Sequence, residues 1–227
     1  ESYSGSNAYL VTGILRQMQK EDGSVNFANS VVFMNESLTA LDIYDKTHLV
    51  PFGEFIPFQS YIPLKPVASF KGFERGRGAQ TIQRNDIPAF SPLICYEIIF
   101  PAQVIAPSTP KPKWIVTVTN DGWYGDSDGP RQHFAQARLR AIEEGMPVIR
   151  SANTGISGVI DSYGRIVAKA DIFQTGAVVS NLPKSLESPP PLFAVLFPYE
   201  MLICALIFMF HKLCFINSQP SIPKHRE

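Results

Sequence analysis

Cysteine is scarce in this chain of 227 residues, with only Cys95, Cys204 and Cys214 present. The last two share one apolar stretch, and a ten-residue separation on a helix is about 15 Å, too far to bridge. A disulfide framework is therefore not expected, and the cysteines say little about redox compartment. An excess of either charge is also missing. Twenty basic residues balance twenty acidic ones, so there is no electrostatic footprint for nucleic acid. No His/Cys/Asp cluster has metal-ligand spacing, and no glycine-rich loop has phosphate-binding spacing. The opening Glu1-Ser-Tyr-Ser-Gly-Ser-Asn lacks an initiator methionine, a basic n-region and an apolar h-region. It reads as the interior of a longer protein rather than a signal peptide. Charged residues make up only 18%, which fits a surface shared with something apolar.

What is present points to an α/β domain. Residues 8–15 and 30–44 read as short strands, with a polar turn-rich stretch between them and a reversal at Asn35-Glu36-Ser37. Residues 51–92 are rich in proline, glycine and aromatics, which predicts long loops of the kind that are functional or mobile. Trp114 to Thr119 is a strand closed by Asn120-Asp121-Gly122. Pro130 to Glu144 is a helix, with N-caps on offer at Asp126, Ser127 and Asp128 and a stop at Gly145 and Pro147. Its apolar residues Phe134, Ala137, Ala141 and Ile142 are expected on one face. Strands at 148–152 and 158–161, a turn at 162–164 and a strand through Ile166 and Val167 complete a domain ending near residue 185.

After Pro189-Pro190-Pro191 the composition changes, and Leu192 to Phe215 is almost wholly apolar. A bilayer-crossing helix needs about 20 such residues, which predicts a transmembrane segment over 192–216, with a buried hydrophobic helix as the alternative. Lys224, His225 and Arg226 place the 217–227 tail in the cytoplasm by the positive-inside bias, and one crossing puts the α/β domain outside.

Two stretches carry residues fit for chemistry. A cysteine in an apolar run, such as Cys95, is ordinarily a small buried hydrophobe. Here Glu97 lies two residues on, so in a strand both side chains point the same way, and a buried carboxylate demands a cation or a proton-sharing group as partner. Lys46 is the candidate cation. A lysine at a strand end is ordinarily solvated, yet one beside a thiol lowers its pKa and can stabilise an oxyanion on an attacked carbonyl. Glu54 could orient that lysine or handle protons.

Lys46-Thr-His-Leu-Val-Pro-Phe-Gly-Glu54 resembles the lysine motif of the nitrilase (carbon–nitrogen hydrolase) superfamily, and Ile94-Cys95-Tyr96-Glu97-Ile98 its nucleophile motif. The likeness is closest to the apolipoprotein N-acyltransferase family. It extends through Thr119 to Gly125, Gly129 to Phe134, Ala137 to Ala141 and Arg150 to Gly155. The resemblance implies a nitrilase-like four-layer α-β-β-α sandwich over residues 1–188, N-terminally truncated, followed by one membrane helix. It implies a Glu–Lys–Cys triad in which Lys46 and Cys95 match, Glu54 matches the glutamate after the lysine motif, and Glu97 and Tyr96 support the nucleophile. The triad's first glutamate has no match, and Glu1 lacks the context for it. Trp123 and Tyr124 line an acyl-chain groove or simply cover the strand end. His48 is expected to be structural, and Arg138, Arg140 and Arg150 to serve ion pairs.

The activity implied is two-step acyl transfer at the bacterial inner membrane, with the catalytic domain periplasmic. A phospholipid gives its acyl chain to Cys95 as a thioester, and the N-terminal amine of a diacylglyceryl-cysteine lipoprotein receives it. No cofactor is needed. The alternatives are a nitrilase-type amidase on small amides, or a truncated remnant without catalysis.

Overall fold

The computed structural model describes residues 8–19, 23, 25–57, 72–107, 110–187 and 202–211. Its chain divides into two units, Glu1–Pro189 and Pro190–Glu227.

In the first unit an antiparallel sheet is laid down by local reversals. β1 (Tyr9–Gln19) pairs along its full length with β2 (Val25–Asn35), and β2 pairs with β3 (Ala40–Asp45). The reversal at Asn35 is closed by the Asn35 side chain accepting from the Thr39 N–H, and by the Leu38 N–H donating to the Asn35 carbonyl.

A second, mixed sheet runs β4 (Phe90–Ile94), β5 (Trp114–Asn120), β6 (Val148–Asn153), β7 (Ser157–Ile160) and β8 (Ile166–Ala170) in that spatial order. The β4–β5 and β5–β6 pairs are parallel, and β7 and β8 return antiparallel. Parallel neighbours need crossovers, and α1 (Gly129–Glu144) supplies the one between β5 and β6. Pro130 occupies its first turn, where a missing N–H costs nothing, and Gly145 ends it with φ +63°.

The two faces of β5 show how the layers stack. Ile115 points toward α1, where it joins Leu93, Ile98, Phe134, Ala137, Ala141 and Val148 in the main core. Val116 points the other way and packs with Phe33 and Phe90, and Val118 lies against Val31, Tyr44 and Ile94. Period-2 alternation thus divides one strand between the helix and the opposing sheet. Among the described residues three of the four expected layers are present: helix, five-stranded sheet and three-stranded sheet. Leu10, Ile14 and Ile43 lie on the three-stranded sheet's outer face and are partly exposed.

One expectation needs correction. Ile142 is 41% exposed, and the buried side of α1 is completed instead by His133 and Arg140. In the second unit only 202–211 of the expected membrane segment is described. It is a helix with exposed apolar side chains, including Leu206, Ile207 and Phe210. Among the described residues no helix is long and apolar enough to cross a membrane. The rest of 192–216 and the 217–227 tail lie outside the described residues.

Candidate active site

Lys46 leaves the end of β3 with its backbone held on both sides. Its N–H donates to the Asn29 carbonyl at 2.9 Å, and its own carbonyl accepts from the Gly76 N–H at 2.8 Å. The side chain is 1% exposed, so its ammonium needs a counter-charge. Glu54 provides it, accepting from Nζ at 2.8 and 2.7 Å on its two oxygens. A tight turn returns Glu54 to this place: the Gly53 and Glu54 N–H groups donate to the Val50 carbonyl, and the Val50 N–H donates to Glu54 Oε2 at 2.8 Å. Asn29 Nδ2 adds a contact of 3.4 Å to Oε1.

The nucleophile stretch does not continue as a strand, contrary to the expectation that Cys95 and Glu97 share a strand face. β4 stops at Ile94, and Cys95 opens a 3-10 turn, Cys95–Ile99, with φ +50°. The cause is Glu97, whose carboxylate folds back to accept the Ile94 N–H at 2.8 Å. Its other oxygen accepts from Tyr44 Oη at 2.8 Å and from the Thr47 and His48 N–H groups at 2.6 and 3.1 Å. The partner of this buried carboxylate is therefore not Lys46 but three backbone amides and a phenol. Burial raises the Glu97 pKa, against the pull of hydrogen bonds from Ile94, Tyr44, His48 and Thr47. Burial, and then the charge of Glu97, also push the Tyr44 phenol up. One side chain thereby staples the residues next to Lys46 to the residue before Cys95.

Aromatic contacts reinforce this staple. His48 stacks on Phe100 at 4.5 Å, and Tyr96 meets the same ring edge-on at 5.0 Å. The structural role expected of His48 agrees with that packing. Tyr124 is exposed, with its ring 5.7 Å from His133, and its phenol is raised by desolvation first and by nearby Cys95 second. Trp123 is 84% exposed and covers no strand end.

Behind the thiol lies a unit that sequence reasoning did not assemble. Asp121 follows β5, His133 is on the buried side of α1, and Arg150 is on β6. Arg150 Nη2 donates to Asp121 Oδ2 at 2.6 Å, Thr119 Oγ1 donates to Oδ1 at 3.0 Å, and His133 Nδ1 lies 2.9 Å from Oδ1. Burial alone would raise Asp121, but the His133 hydrogen bond and the Arg150 charge bring it below the usual carboxylate range. Gly155 makes room for it, since a Cβ there would stand 2.1 Å from Asp121 Oδ2. Of the three arginines expected in ion pairs, Arg150 pairs with Asp121 and Arg140 with Glu143, whereas Arg138 donates to the Gly164 carbonyl. A histidine one position before Phe134 on an apolar helix side was the available signal.

Among the described residues no group of three or more His, Cys, Asp or Glu is arranged to hold a metal ion. The arrangement is suited to chemistry by a thiol in a strained turn, tied through Glu97 to the backbone that follows a buried, carboxylate-held ammonium.

Apolipoprotein N-acyltransferase of Rhodopseudomonas palustris is 43% identical over 182 residues, covering 77% of this chain and 33% of that protein. Its namesake from Bradyrhizobium diazoefficiens is 44% identical over 194 residues, 82% of this chain and 35% of that one. The Rickettsia typhi protein of the same name is 34% identical over 212 residues, 92% of this chain and 42% of its own. The chain thus spans about a third of the length of the first two relatives. Among solved structures, an amidase from Nesterenkonia sp. superposes with a TM-score of 0.55 at 18% identity, covering 77% of this chain and 61% of the amidase. That likeness is one of fold. The model of the carbon-nitrogen hydrolase family matches residues 6–188, a span holding both sheets, α1, Lys46, Glu54, Cys95 and Glu97. This chain belongs to the carbon-nitrogen hydrolase family.

Proposed function

We propose that this chain carries the acyl-transfer centre of an N-acyltransferase of the apolipoprotein N-acyltransferase type. The observation that carries the reading is the buried Lys46–Glu54 pair, tied through Glu97 to the turn that presents Cys95. The identity to proteins of that name over most of the chain supports it.

In the first half-reaction the Cys95 thiol, its proton removed, attacks the ester carbonyl of a phospholipid. The developing oxyanion is stabilised by the Lys46 ammonium, which Glu54 holds in place. The carbon–oxygen bond then breaks, the lysophospholipid leaves with a proton, and a thioester remains on Sγ. In the second, the amine of a diacylglyceryl-cysteine lipoprotein attacks the thioester carbonyl, and Lys46 again meets the oxyanion. The carbon–sulfur bond breaks, the amine loses its proton, and thiol and amide result. The glutamate that moves these protons in the family has no matched position here, so Cys95 and Lys46 are the catalytic residues assigned, with Glu54 holding the lysine. Trp123 and Tyr124 are assigned to acyl-chain contact, on the exposure of the indole and the nearness of Tyr124 to Cys95. The reaction needs no cofactor.

The site is placed at the bacterial inner membrane with residues 1–188 periplasmic, 192–216 crossing the bilayer and 217–227 cytoplasmic. The exposed apolar helix at 202–211 supports the membrane association, and the sidedness rests on the basic residues of the tail.

The test is intact-mass measurement after incubation with phospholipid in detergent, beside a Cys95→Ala control, on this chain and on one extended by the N-terminal part of a relative. A hydroxylamine-labile acyl adduct that the control lacks is expected at least on the extended chain. No adduct on either would overturn the acyltransferase reading in favour of an amidase or an inactive remnant.

A further inference from the structure

His133 Nε2 lies 3.1 Å from the backbone carbonyl oxygen of Cys95, while Nδ1 lies 2.9 Å from Asp121 Oδ1. The ring is buried, its side chain 1% exposed, and Asp121 behind it is fully buried and locked by Arg150. Three successive parallel strands thereby serve the nucleophile turn: Cys95 follows β4, Asp121 follows β5, and β6 carries Arg150. Cys95 has φ +50°, a conformation that is unfavourable for a residue with a Cβ and persists only where surroundings over-determine it. Glu97 fixes the peptide before Cys95 through the Ile94 N–H. The carbonyl of the peptide after Cys95, in the first turn of the 3-10 helix, is met from α1 by His133 Nε2.

We infer that His133 is a positioning residue for Cys95. Backed by Asp121 and Arg150, it grips the Cys95 carbonyl and holds the thiol in its presenting conformation. The inference rests on the reading of Cys95 as the nucleophile, and it concerns neither Lys46 nor the acyl substrates.

The two contacts of the ring can be separated by amides of different length. A glutamine at 133 can place its amide nitrogen where Nε2 stands and reach the Cys95 carbonyl. An asparagine can place its nitrogen where Nδ1 stands and reach only Asp121. The experiment is the alkylation rate of Cys95 by iodoacetamide in the full chain, read by peptide-resolved mass so that Cys204 and Cys214 do not contribute, with Tm measured in parallel. His133→Ala and His133→Asn are expected to slow Cys95 alkylation about fivefold to tenfold, one hydrogen bond carried into a rate. His133→Gln is expected to recover to within about threefold of wild type by the same arithmetic.

Wild-type rates in all three variants would overturn the inference. So would recovery by asparagine equal to that by glutamine, which would show that the ring serves the Asp121 network and not the thiol. If His133→Ala does not fold, the glutamine–asparagine comparison decides alone. Alkylation reads the thiol directly, so failure to detect acyl transfer would bear on the proposed activity and leave this result standing.

Discussion

Gly155→Ala adds one carbon in the worst place on β6's exit. Its Cβ would lie 2.1 Å from Asp121 Oδ2 and 2.7 Å from both Cβ and Cγ of that residue. Ordinary contact is roughly 3.5 Å, so the overlap exceeds 1 Å. Asp121 cannot swing aside without leaving Arg150 at 2.6 Å, Thr119 at 3.0 Å and His133 at 2.9 Å. Overpacking alone costs about 1–3 kcal/mol, and breaking a buried ion pair about 3–5 kcal/mol. The strain is relieved by breaking the pair, so the two do not add, and the expected loss is about 3–5 kcal/mol. For a domain of this size that lowers Tm by about 6–20 °C. The assay is thermal unfolding by circular dichroism of wild type, Gly155→Ala, Asp121→Ala and the double variant. Gly176→Ala serves as the control, because a Cβ there meets nothing within 4 Å. Once the carboxylate is gone, the added methyl should cost little more. Additive losses in the double variant, or a Gly155→Ala melt within 2 °C of the Gly176→Ala control, would refute the reasoning.

Three further outcomes follow from the same contacts. Replacing Lys46 by Met removes the charge proposed for the oxyanion and leaves Glu54 unpaired; acyl-adduct formation should fall about 100-fold or more while Cys95 is still alkylated. Equal acylation would remove Lys46 from the chemistry. Asp121→Asn should be most damaging near neutrality. The folded-state pKa of Asp121 lies below the ordinary 3.8, so its contribution is present above that value and lost as pH falls through the folded one. The Tm gap between Asp121→Asn and wild type should therefore narrow below about pH 3.8, and a gap that widens in acid would contradict the assignment. Glu97→Gln exchanges one acceptor oxygen for a donor facing an N–H, at about 1–3 kcal/mol. Hydrogen exchange should quicken at the Ile94, Thr47 and His48 amides, and unchanged protection there would dismiss the staple.

The sequence made some parts of this molecule legible because short-range chemistry dictates them. Pro130 and Gly145 bracket α1 as their backbone preferences require, and the alternating residues of β5 announce a strand buried on both faces. Lys46, Glu54 and Cys95 were found through motif resemblance, and the Lys46–Glu54 contact then followed the need of a buried ammonium for a carboxylate. What escaped was decided by tertiary contact. Glu97 was read as a strand neighbour of Cys95 needing a cation or a proton-sharing group; the Tyr44 phenol and the backbone N–H groups of Ile94, Thr47 and His48 meet that need. No local pattern reveals donors 49 or 50 residues away. His133 was given no partner by the sequence, and only the fold shows that the Cys95 carbonyl and the Asp121 carboxylate await it.

The division of the reactive pair between two sheets has a consequence for how the protein matures. Lys46 and Glu54 leave from the three-stranded meander, which contacts between near neighbours in sequence can form early. Cys95 leaves from the mixed sheet, whose parallel pairs bring together segments separated by long crossovers. Glu97 bonds the two only after the sheets have met face to face. A newly made chain therefore holds Glu97 apart from the Thr47 and His48 amides until the sheets meet, so chemistry that needs both Cys95 and Lys46 waits on tertiary assembly while the bare thiol does not.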